Sequence, residues 1–470
     1  MNPIFKSNQH SSPNGQDSFS SQGECGTHTT NEKNIKYITD VSHYRLYTEK
    51  QEASLMSYIE EDESITKVVI PEFVIHNGKK YKVTSLGKEC FMDCSTLTSI
   101  EIPESVTSLG ELCFRDCSAL TSIKIPTSVK SLECGCFWGC SALTSIELPK
   151  SLTSLGMACF IDCSALTSID LPESLTNLHW FCFLGCSALT SIKIPASITS
   201  IGKRCFKGCS ALEAIMVDTN NPKYDSREDC NAIIETESNT MIAGCKNTRI
   251  PTSVTSLKSF CFYQQHLTSI EIPTSVTSLE YACFGDCSTL TSIEIPKTVT
   301  NLGKQCFYGC SALTSIEIPA SVTSLGIECF LGCFSLESIV VKTNNPQYDS
   351  REDCNAIIET KSNKMIAGCK NTRIPMSVTS LENGCFFCQK QLTLIDIPAS
   401  VTNLGCCCFY GCENLQTVIC RMENVIGDET LFYETSIEGA TLYVSKELLD
   451  TYKAIAPWSG FGTILPLTEK

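Results

Sequence analysis

The chain has 470 residues, of which 51 are acidic and 36 are basic, and its formal net charge at pH 7 is −15. It contains no Lys/Arg-rich block, so nucleic acid and anionic membrane surfaces are excluded as expected partners, because both attract basic proteins. The longest apolar runs are far too short to cross a bilayer, so no membrane insertion is expected.

Residues 1–34 are polar and rich in Ser, Asn, Gln and Gly. This composition predicts a disordered tail. The segment lacks the basic start and apolar core of a secretory signal, so the chain as given shows no export signal. An exported form with a different start is not excluded by this observation.

A 23-residue unit recurs along most of the chain. It reads LTSIEIPESVTSLGELCFRDCSA at Leu97 to Ala119. Further copies begin at Leu120, Leu143, Leu166, Leu189 and Leu212, then at Leu267, Leu290, Leu313 and Leu336, and finally at Leu392 and Leu415. A fixed period of this size predicts a solenoid, in which each unit buries its apolar face by stacking on its neighbours.

Each unit predicts one coil. Ile100 and Ile102 alternate with Glu101 as in a short strand, which Pro103 ends. A second short extended segment and a single helical turn around Phe114 complete the coil. We expect the recurring phenylalanines to form a buried column: Phe91, Phe114, Phe137, Phe160, Phe183 and Phe206.

The residue before the second repeat cysteine is either Asp or Gly, as in Asp116 and Gly139. These two residues share the ability to adopt a left-handed backbone, which the exit of a helical turn requires. We therefore interpret the aspartates as turn formers and not as ligands.

The repeat closely resembles the BspA-like leucine-rich repeats, whose unit reads roughly L-x-x-I-x-I-P-x-S-V-T-S-I-G-x-x-A-F-x-x-C. The segment from Ala312 to Cys333 matches this pattern throughout, except that Cys329 stands where the family usually has alanine. The resemblance covers about Val68 to Leu415. It implies a repeat solenoid, a right-handed leucine-rich-repeat array of short parallel strands and short helical turns with N- and C-terminal caps. It also implies adhesion to host matrix proteins or to other cells, without an enzymatic residue set.

Two breaks in the repeat are duplicates of one another, at Asn220 to Pro251 and Asn344 to Pro375. In each, AIIET and a MIAGC run flank a polar centre and predict a β-hairpin. The insert is either an enlarged coil or a binding loop that projects from one face. At the front, Asn77-Gly78 between extended runs predicts another hairpin.

Near the C-terminus, the sequence predicts a strand at Ala440 to Val444 and a helix from Ser445 to about Ala456, with Trp458 and Phe461 covering the last coil. The predicted division of the chain is a polar tail (1–34), an N-terminal cap with the first modified coil (35–96), a first repeat block (97–219), an insert (220–251), a second block (252–343), a duplicated insert (344–375), the last repeats (376–419) and a C-terminal strand–helix cap (420–470).

The chain contains 32 cysteines, most of which recur at two positions of the repeat. Stacked columns of small apolar side chains suit buried free thiols, which is our first interpretation. Disulfides are the alternative, and the hairpin pairs Cys230 with Cys245 and Cys354 with Cys369 are the candidates. The repeated C-x₃-C spacing without a nearby His is not typical of a zinc site, so no metal is expected.

The sequence contains no nucleophile elbow, Walker loop, dinucleotide fingerprint or H-E-x-x-H motif, so we expect no catalysis and no cofactor. The candidate partner-binding residues occupy the outward strand position: Glu101, Lys124, Glu147, Asp170, Lys193, Glu271, Glu294, Glu317 and Asp396. Like charges stacked at strand spacing repel unless a partner neutralises them. The alternative is a solvated surface that keeps the array soluble.

The sequence therefore predicts a protein-interaction module with an unidentified protein partner, acting first in adhesion or host-surface binding. An intracellular scaffold is the alternative, and a thiol-based redox or metal-buffering protein is a third. Localisation is left open, because the family resemblance favours a cell surface or secretion and the thiol content favours a reducing or anaerobic setting.

Overall fold

A computed structural model describes residues 34–58 and 64–468. The predicted disordered tail therefore lies outside the described residues, apart from Asn34. The described chain forms a parallel β-solenoid of about 17 turns with few helices. Coils stack through two ladders of short strands, one for each extended segment of the repeat.

The first ladder follows the L-x-x-I-x-I segment of the repeat. Its strands are Ile35–Tyr37, Lys67–Val69, Ser99–Glu101, Ser122–Lys124, Ser145–Glu147, Ser191–Ile194, Ala214–Val217, Ser315–Ile318, Ser338–Val341, Leu394–Ile397, Thr417–Cys420, Thr441–Val444 and Thr463–Pro466. All pairings within this ladder are parallel. The coils that begin at Leu166, Leu267 and Leu290 carry no assigned strand here, although Thr167 N–H still bonds to the Thr144 carbonyl and Thr291 N–H to the Thr268 carbonyl of the preceding coil.

The second ladder follows the S-L segment and includes the hairpins. Its strands are Tyr44–Tyr47, Glu52–Leu55, Phe73–His76, Lys79–Leu86, Ser108–Leu109, Ser131–Leu132, Ser154–Leu155, Asn177–Leu178, Ser200–Ile201, Tyr224–Asp225, Ala232–Glu235, Thr240–Gly244, Ser256–Leu257, Ser278–Leu279, Asn301–Leu302, Ser324–Leu325, Tyr348–Asp349, Ala356–Glu359, Lys364–Gly368, Ser380–Leu381 and Asn403–Leu404. Identical residues pair across coils, as Leu132 does with Leu155.

Helices are short and lie mainly outside the regular coils. The 3₁₀ segments are Val41–His43, Arg227–Asp229, Arg351–Asp353, Ile437–Gly439, Lys446–Leu448 and Trp458–Gly460, and the α-helix is Leu449–Ala454. Within the repeat, hydrogen-bonded turns stand where the sequence predicts one helical turn. The reason is that the turn backbone bonds to the next coil, as Phe114 N–H does to the Cys136 carbonyl at 2.9 Å.

The predicted phenylalanine column is confirmed. Phe91, Phe114, Phe137 and Phe160 are fully buried. The rings of Phe114 and Phe137 are nearly parallel with centroids 5.4 Å apart, and the other rings of the column continue this stacking. Burial of each ring stabilises the array by roughly 1.5–3 kcal/mol, so the column is a main source of cohesion between coils.

The Asp/Gly column adopts the predicted left-handed backbone. Asp116 has φ 56° and Gly139 has φ 76°. The Asp116 carboxylate also lies over Gly139 of the next coil, since a Cβ added at Gly139 would lie 2.0 Å from Asp116 Oδ1. The aspartate is thus a turn former whose side chain occupies the space that a side chain at the following glycine would need.

Both inserts contain the predicted hairpin. Ala232–Glu235 pairs antiparallel with Thr240–Gly244, which then pairs parallel with Ser256–Leu257 of the next coil. Ile233 and Met241 are fully buried. The hairpin therefore replaces one coil of the second ladder and belongs to the core, which supports the enlarged-coil interpretation over a projecting loop.

The two ends of the array also follow the sequence pattern. Asn77 (φ 50°) and Gly78 (φ 74°) form the turn of the predicted front hairpin. At the other end, Trp458 and Phe461 are buried against the last coils. The predicted helix after Ser445 is divided into a 3₁₀ turn and a short α-helix, and the Ser445 side chain makes no capping bond.

Candidate functional site

The outward positions of the first ladder form one exposed column of charged side chains. Eight of its nine predicted members are exposed, and Asp396 is half-buried. Strand alternation explains this placement, because the Ile or Leu residues on either side of each charged residue face the core. In register, Glu147 lies beside Lys124, so opposite charges are neighbours in the first block.

Five members of this outward column are ion-paired, which sequence reasoning missed. The pairs and their N···O distances are Glu101 with Lys67 (2.7 Å), Lys124 with Glu104 (3.2 Å), Lys193 with Asp218 (3.4 Å), Glu317 with Lys342 (2.7 Å) and Asp396 with Arg421 (2.9 Å). Exposed pairs of this kind contribute at most about 1 kcal/mol each. Within the described part of the chain, Glu147, Asp170, Glu271 and Glu294 have no such pair.

The outward column continues into apolar residues at the end of each block. Met216 lies beside Lys193 in the ladder and is 52% exposed, and Val340 lies beside Glu317 and is 41% exposed. Sequence reasoning did not include these residues, because it selected charged positions. Extending the 23-residue register by one unit beyond Lys193 and Glu317 would have found both.

Two rows of threonine side chains also run along the coils, and their hydroxyl groups, called the hydroxyl ladders below, donate hydrogen bonds within the array. Thr121 Oγ1 donates to the Thr98 carbonyl of the preceding coil at 3.3 Å, and Thr144 Oγ1 donates to the Thr121 carbonyl at the same distance. A second row does the same, as Thr107 Oγ1 does to the Thr84 carbonyl. These hydroxyls link successive coils by hydrogen bonds. The side chains of the charged column are therefore more available to a partner than the hydroxyl donors are.

The two repeat cysteine columns are buried as free thiols. In the second column the thiol donates to the phenylalanine carbonyl of the preceding coil, as Cys140 Sγ does to Phe114 O at 3.1 Å. Thr435 takes this position in the last coil and its hydroxyl donates to Phe409 O at 2.6 Å. A thiol and a hydroxyl thus serve at this position as the hydrogen-bond donor to the phenylalanine carbonyl of the preceding coil.

Burial also makes these thiols poor nucleophiles. It raises the pKa of the Cys205 thiol to about 12, and it raises the pKa of Cys136 well above its ordinary value. Since the thiolate is the reactive and metal-binding form, buried columns of this kind do not support a redox or metal-buffering role.

The candidate disulfides Cys230–Cys245 and Cys354–Cys369 are not formed in the structure, where all four thiols are free. Cys230 packs in the core cluster that follows the first insert, and Cys245 packs in the cluster that precedes it. Cys354 and Cys369 are separated in the same way. The two thiols of each pair thus pack in different core clusters, and the disulfides stay a prediction.

Residues 34–58 and 64–468 contain no group of three or more His, Cys, Asp or Glu side chains that could hold a metal ion. In the same residues, no helix is long and apolar enough to cross a membrane.

A family model described as "BspA type Leucine rich repeat region (6 copies)" matches residues 82–221, 234–357 and 353–452. The curated proteins include no match to this chain. The chain is similar to the crystal structure of a leucine rich cell surface protein from Faecalibacterium prausnitzii, with 25% identity over 77% of this chain and 92% of that chain and a TM-score of 0.55.

A second similar structure is the pneumococcal vaccine antigen PcpA. The likeness covers 94% of this chain and 96% of that chain, with 18% identity and a TM-score of 0.53. At this identity it concerns the fold alone.

Proposed function

Because the chain belongs to the BspA-type leucine-rich-repeat family, we propose that it is a non-catalytic protein-binding module that acts in adhesion at a cell surface. The exposed charged column carries this proposal. It runs along the first ladder, whereas the hydroxyl and thiol ladders bond within the array. The similarity to a leucine rich cell surface protein supports the surface assignment.

The partner should be a basic protein surface that binds along the first ladder. The chain has a net charge of −15, and the glutamates at 271 and 294 are exposed in successive coils without an ion pair in the described chain. Met216 and Val340 add exposed apolar contact area at the block ends. Complementary charge governs the rate and specificity of such an association, and the apolar residues contribute to its affinity.

Binding of the purified chain to immobilised fibronectin and laminin tests this proposal. Replacing Glu271, Glu294 and Glu317 together by Gln should weaken binding at least about tenfold and reduce its dependence on salt. The matched control neutralises three exposed glutamates on the turn side of the coils: Glu89, Glu111 and Glu133. It should leave binding unchanged. Equal loss in both triple variants, or no binding by the wild type, contradicts the proposal.

An intracellular scaffold is the second candidate, and the free thiols favour it. Labelling intact source cells with a membrane-impermeant amine reagent separates the two. Capture of this protein while a cytosolic control stays unlabelled supports adhesion. Absence of capture from cells that contain the protein supports the scaffold.

A further inference from the structure

The two inserts interrupt the phenylalanine column and create two junctions that can be compared position by position. Each junction lies between the turn of the coil before the insert and the turn of the coil after it. Gln265 at the first junction and Gln389 at the second span the gap, donating through Nε2 to the carbonyls of Cys209 and Cys333 at 3.1 Å. The chain is duplicated here with an offset of 124 residues, so each side chain has a counterpart.

The first junction is closed by its own side chains. The ring of Phe260, from the coil after the insert, lies 4.4 Å from the Arg204 guanidinium and 5.4 Å from Lys207 Nζ, both from the coil before it. Lys207 Nζ also lies 4.0 Å from the centroid of the Tyr263 ring. An aromatic ring between two cations thus bridges the coils.

The second junction is open. Gly384 stands at the position of Phe260, and Leu331 and Phe387 stand at the positions of Lys207 and Tyr263. A cavity of about 200 Å³ lies here, lined by these three residues among others. Gln389 also lines it and is 3% exposed, and its Oε1 has no hydrogen-bond partner in the described structure. Gln265 Oε1 at the first junction has none either, so the cavity beside this oxygen, and not the missing bond, distinguishes the second junction.

The charge of the second junction is the reverse of that of the first. Glu328, Glu359 and Glu382 line the cavity together with one cation, Lys364, whose Nζ lies 3.0 Å from Glu382. The counterparts of these four residues at the first junction are Arg204, Glu235, Lys258 and Thr240. Leu331 stands in place of Lys207, and Lys304 Nζ lies 3.6 Å from Glu328. The rim therefore carries three carboxylates, two of which are ion-paired, and is more acidic than the first junction.

We propose that this cavity, between the coils of Leu331 and Gly384, is a docking site for one aromatic side chain of a protein partner, a phenylalanine followed by an arginine. Leu331 Cδ1 covers Gly384, since a Cβ added there would lie 2.7 Å from it, so the phenyl ring enters the cavity beside Leu331, at the junction that Phe260 fills in the first copy. The guanidinium meets the acidic rim and can donate to the unpaired oxygen of Gln389. The inference rests on the proposed protein-binding function and names one anchor of the partner.

The test uses N-acetylated, C-amidated dipeptides and the full chain, with binding followed by ligand-observed NMR. The wild type should bind Phe-Arg saturably, and Ala-Arg and Phe-Glu at least about tenfold more weakly. The double variant Leu331→Lys with Gly384→Phe rebuilds the first junction and should lose at least about tenfold in affinity for Phe-Arg. Phe260 has φ 64° and Gly384 has φ 62°, so the backbone admits a phenylalanine at this repeat position.

Gly135→Phe is the matched control, because Gly135 holds the same repeat position in a coil without an insert (φ 61°). It should bind Phe-Arg as the wild type does. A second variant keeps the glycine and reverses the exposed rim with Glu328→Arg, which should lower affinity for Phe-Arg and raise it for Phe-Glu.

No saturable binding of Phe-Arg by the wild type, equal binding of Phe-Arg and Ala-Arg, or equal loss in the Gly135→Phe control would each overturn the proposal. These outcomes are separate from the fibronectin and laminin assay with the glutamate variants. If the chain binds Phe-Arg but neither fibronectin nor laminin, the adhesion proposal alone is rejected. If it binds fibronectin or laminin as proposed but does not bind Phe-Arg, the cavity proposal alone is rejected.

Discussion

The contact between Asp116 and Gly139 predicts that the same glycine-to-alanine change has different costs in different coils. At Gly139 the new Cβ would lie 2.0 Å from Asp116 Oδ1. At Gly332, which has a similar backbone, the nearest atoms belong to the Gly309 backbone at 3.3 Å. The carboxylate, and not the left-handed backbone alone, distinguishes the two positions.

The expected magnitudes follow from these distances. An alanine with positive φ costs roughly 1–2 kcal/mol at either position. Overpacking at Gly139 adds roughly 1–3 kcal/mol, because Asp116 has to rotate away and give up the bond from Arg115 Nε at 3.0 Å. We therefore expect Gly139→Ala to lower the free energy of unfolding by about 3 kcal/mol and Gly332→Ala by about 1.5 kcal/mol.

Hydrogen exchange of peptides from each coil is the suitable assay, because stability in a repeat array is largely a sum of local terms. Urea unfolding followed by circular dichroism gives the global change. Asp116→Gly removes the carboxylate and should bring the cost of Gly139→Ala down to that of Gly332→Ala. This double-mutant cycle isolates the pairwise term, which we expect to be about 1.5 kcal/mol.

The reasoning is refuted if Gly139→Ala and Gly332→Ala cost the same, or if Asp116→Gly leaves the cost of the alanine unchanged. The contact recurs where Gly185 meets Asp162 and where Gly309 meets Asp286, each with a Cβ-to-Oδ1 distance of 2.1 Å. Both glycines should therefore respond as Gly139 does, which allows the prediction to be repeated within one molecule.

Three further predictions concern the thiols and the inserts. Cys163→Thr should keep the bond to the Phe137 carbonyl, as Thr435 does for its own coil, whereas Cys163→Val should lower the free energy of unfolding by about 1 kcal/mol more in urea titrations. In the described chain, an alkylating reagent followed by peptide mass spectrometry should modify the exposed Cys406 fastest and the buried columns only on unfolding. Burial alone would raise the pKa of Asp349, but hydrogen bonds from Arg351 hold it below its usual value. The ionised Asp349 therefore stabilises the fold above its unfolded-state pKa, and this contribution is lost as pH falls through the lower folded-state pKa. Hydrogen exchange of the second insert should accordingly become faster in acid. This acceleration should be absent in Asp349→Asn.

Each of these predictions has a contrary outcome. Equal stability of the Thr and Val variants would mean that the thiol bond contributes nothing. Rapid labelling of Cys136 or Cys205 in the native chain would restore the redox hypothesis. An acid response that persists in Asp349→Asn would assign it to other carboxylates.

The repeating unit determines most of the fold without reference to tertiary structure. Residues 23 apart have the same neighbours, so the alternation around Glu101 places every copy of that residue outside. Asp and Gly share only their tolerance of positive φ, which is why their exchange before the second cysteine predicts the turn correctly. The hairpin in each insert follows from two apolar runs around a polar centre, and this signal is also local.

Only the tertiary structure decides what depends on contacts between different coils. The role of Cys140 depends on a carbonyl 26 residues earlier, and the separation of Cys230 from Cys245 depends on which side of the hairpin each thiol faces. The cavity at Gly384 arises because the insert brings the coil of Leu331 opposite a glycine. A 23-residue pattern specifies neighbours within the register, but where an insert breaks the register, packing in three dimensions decides which side chains meet.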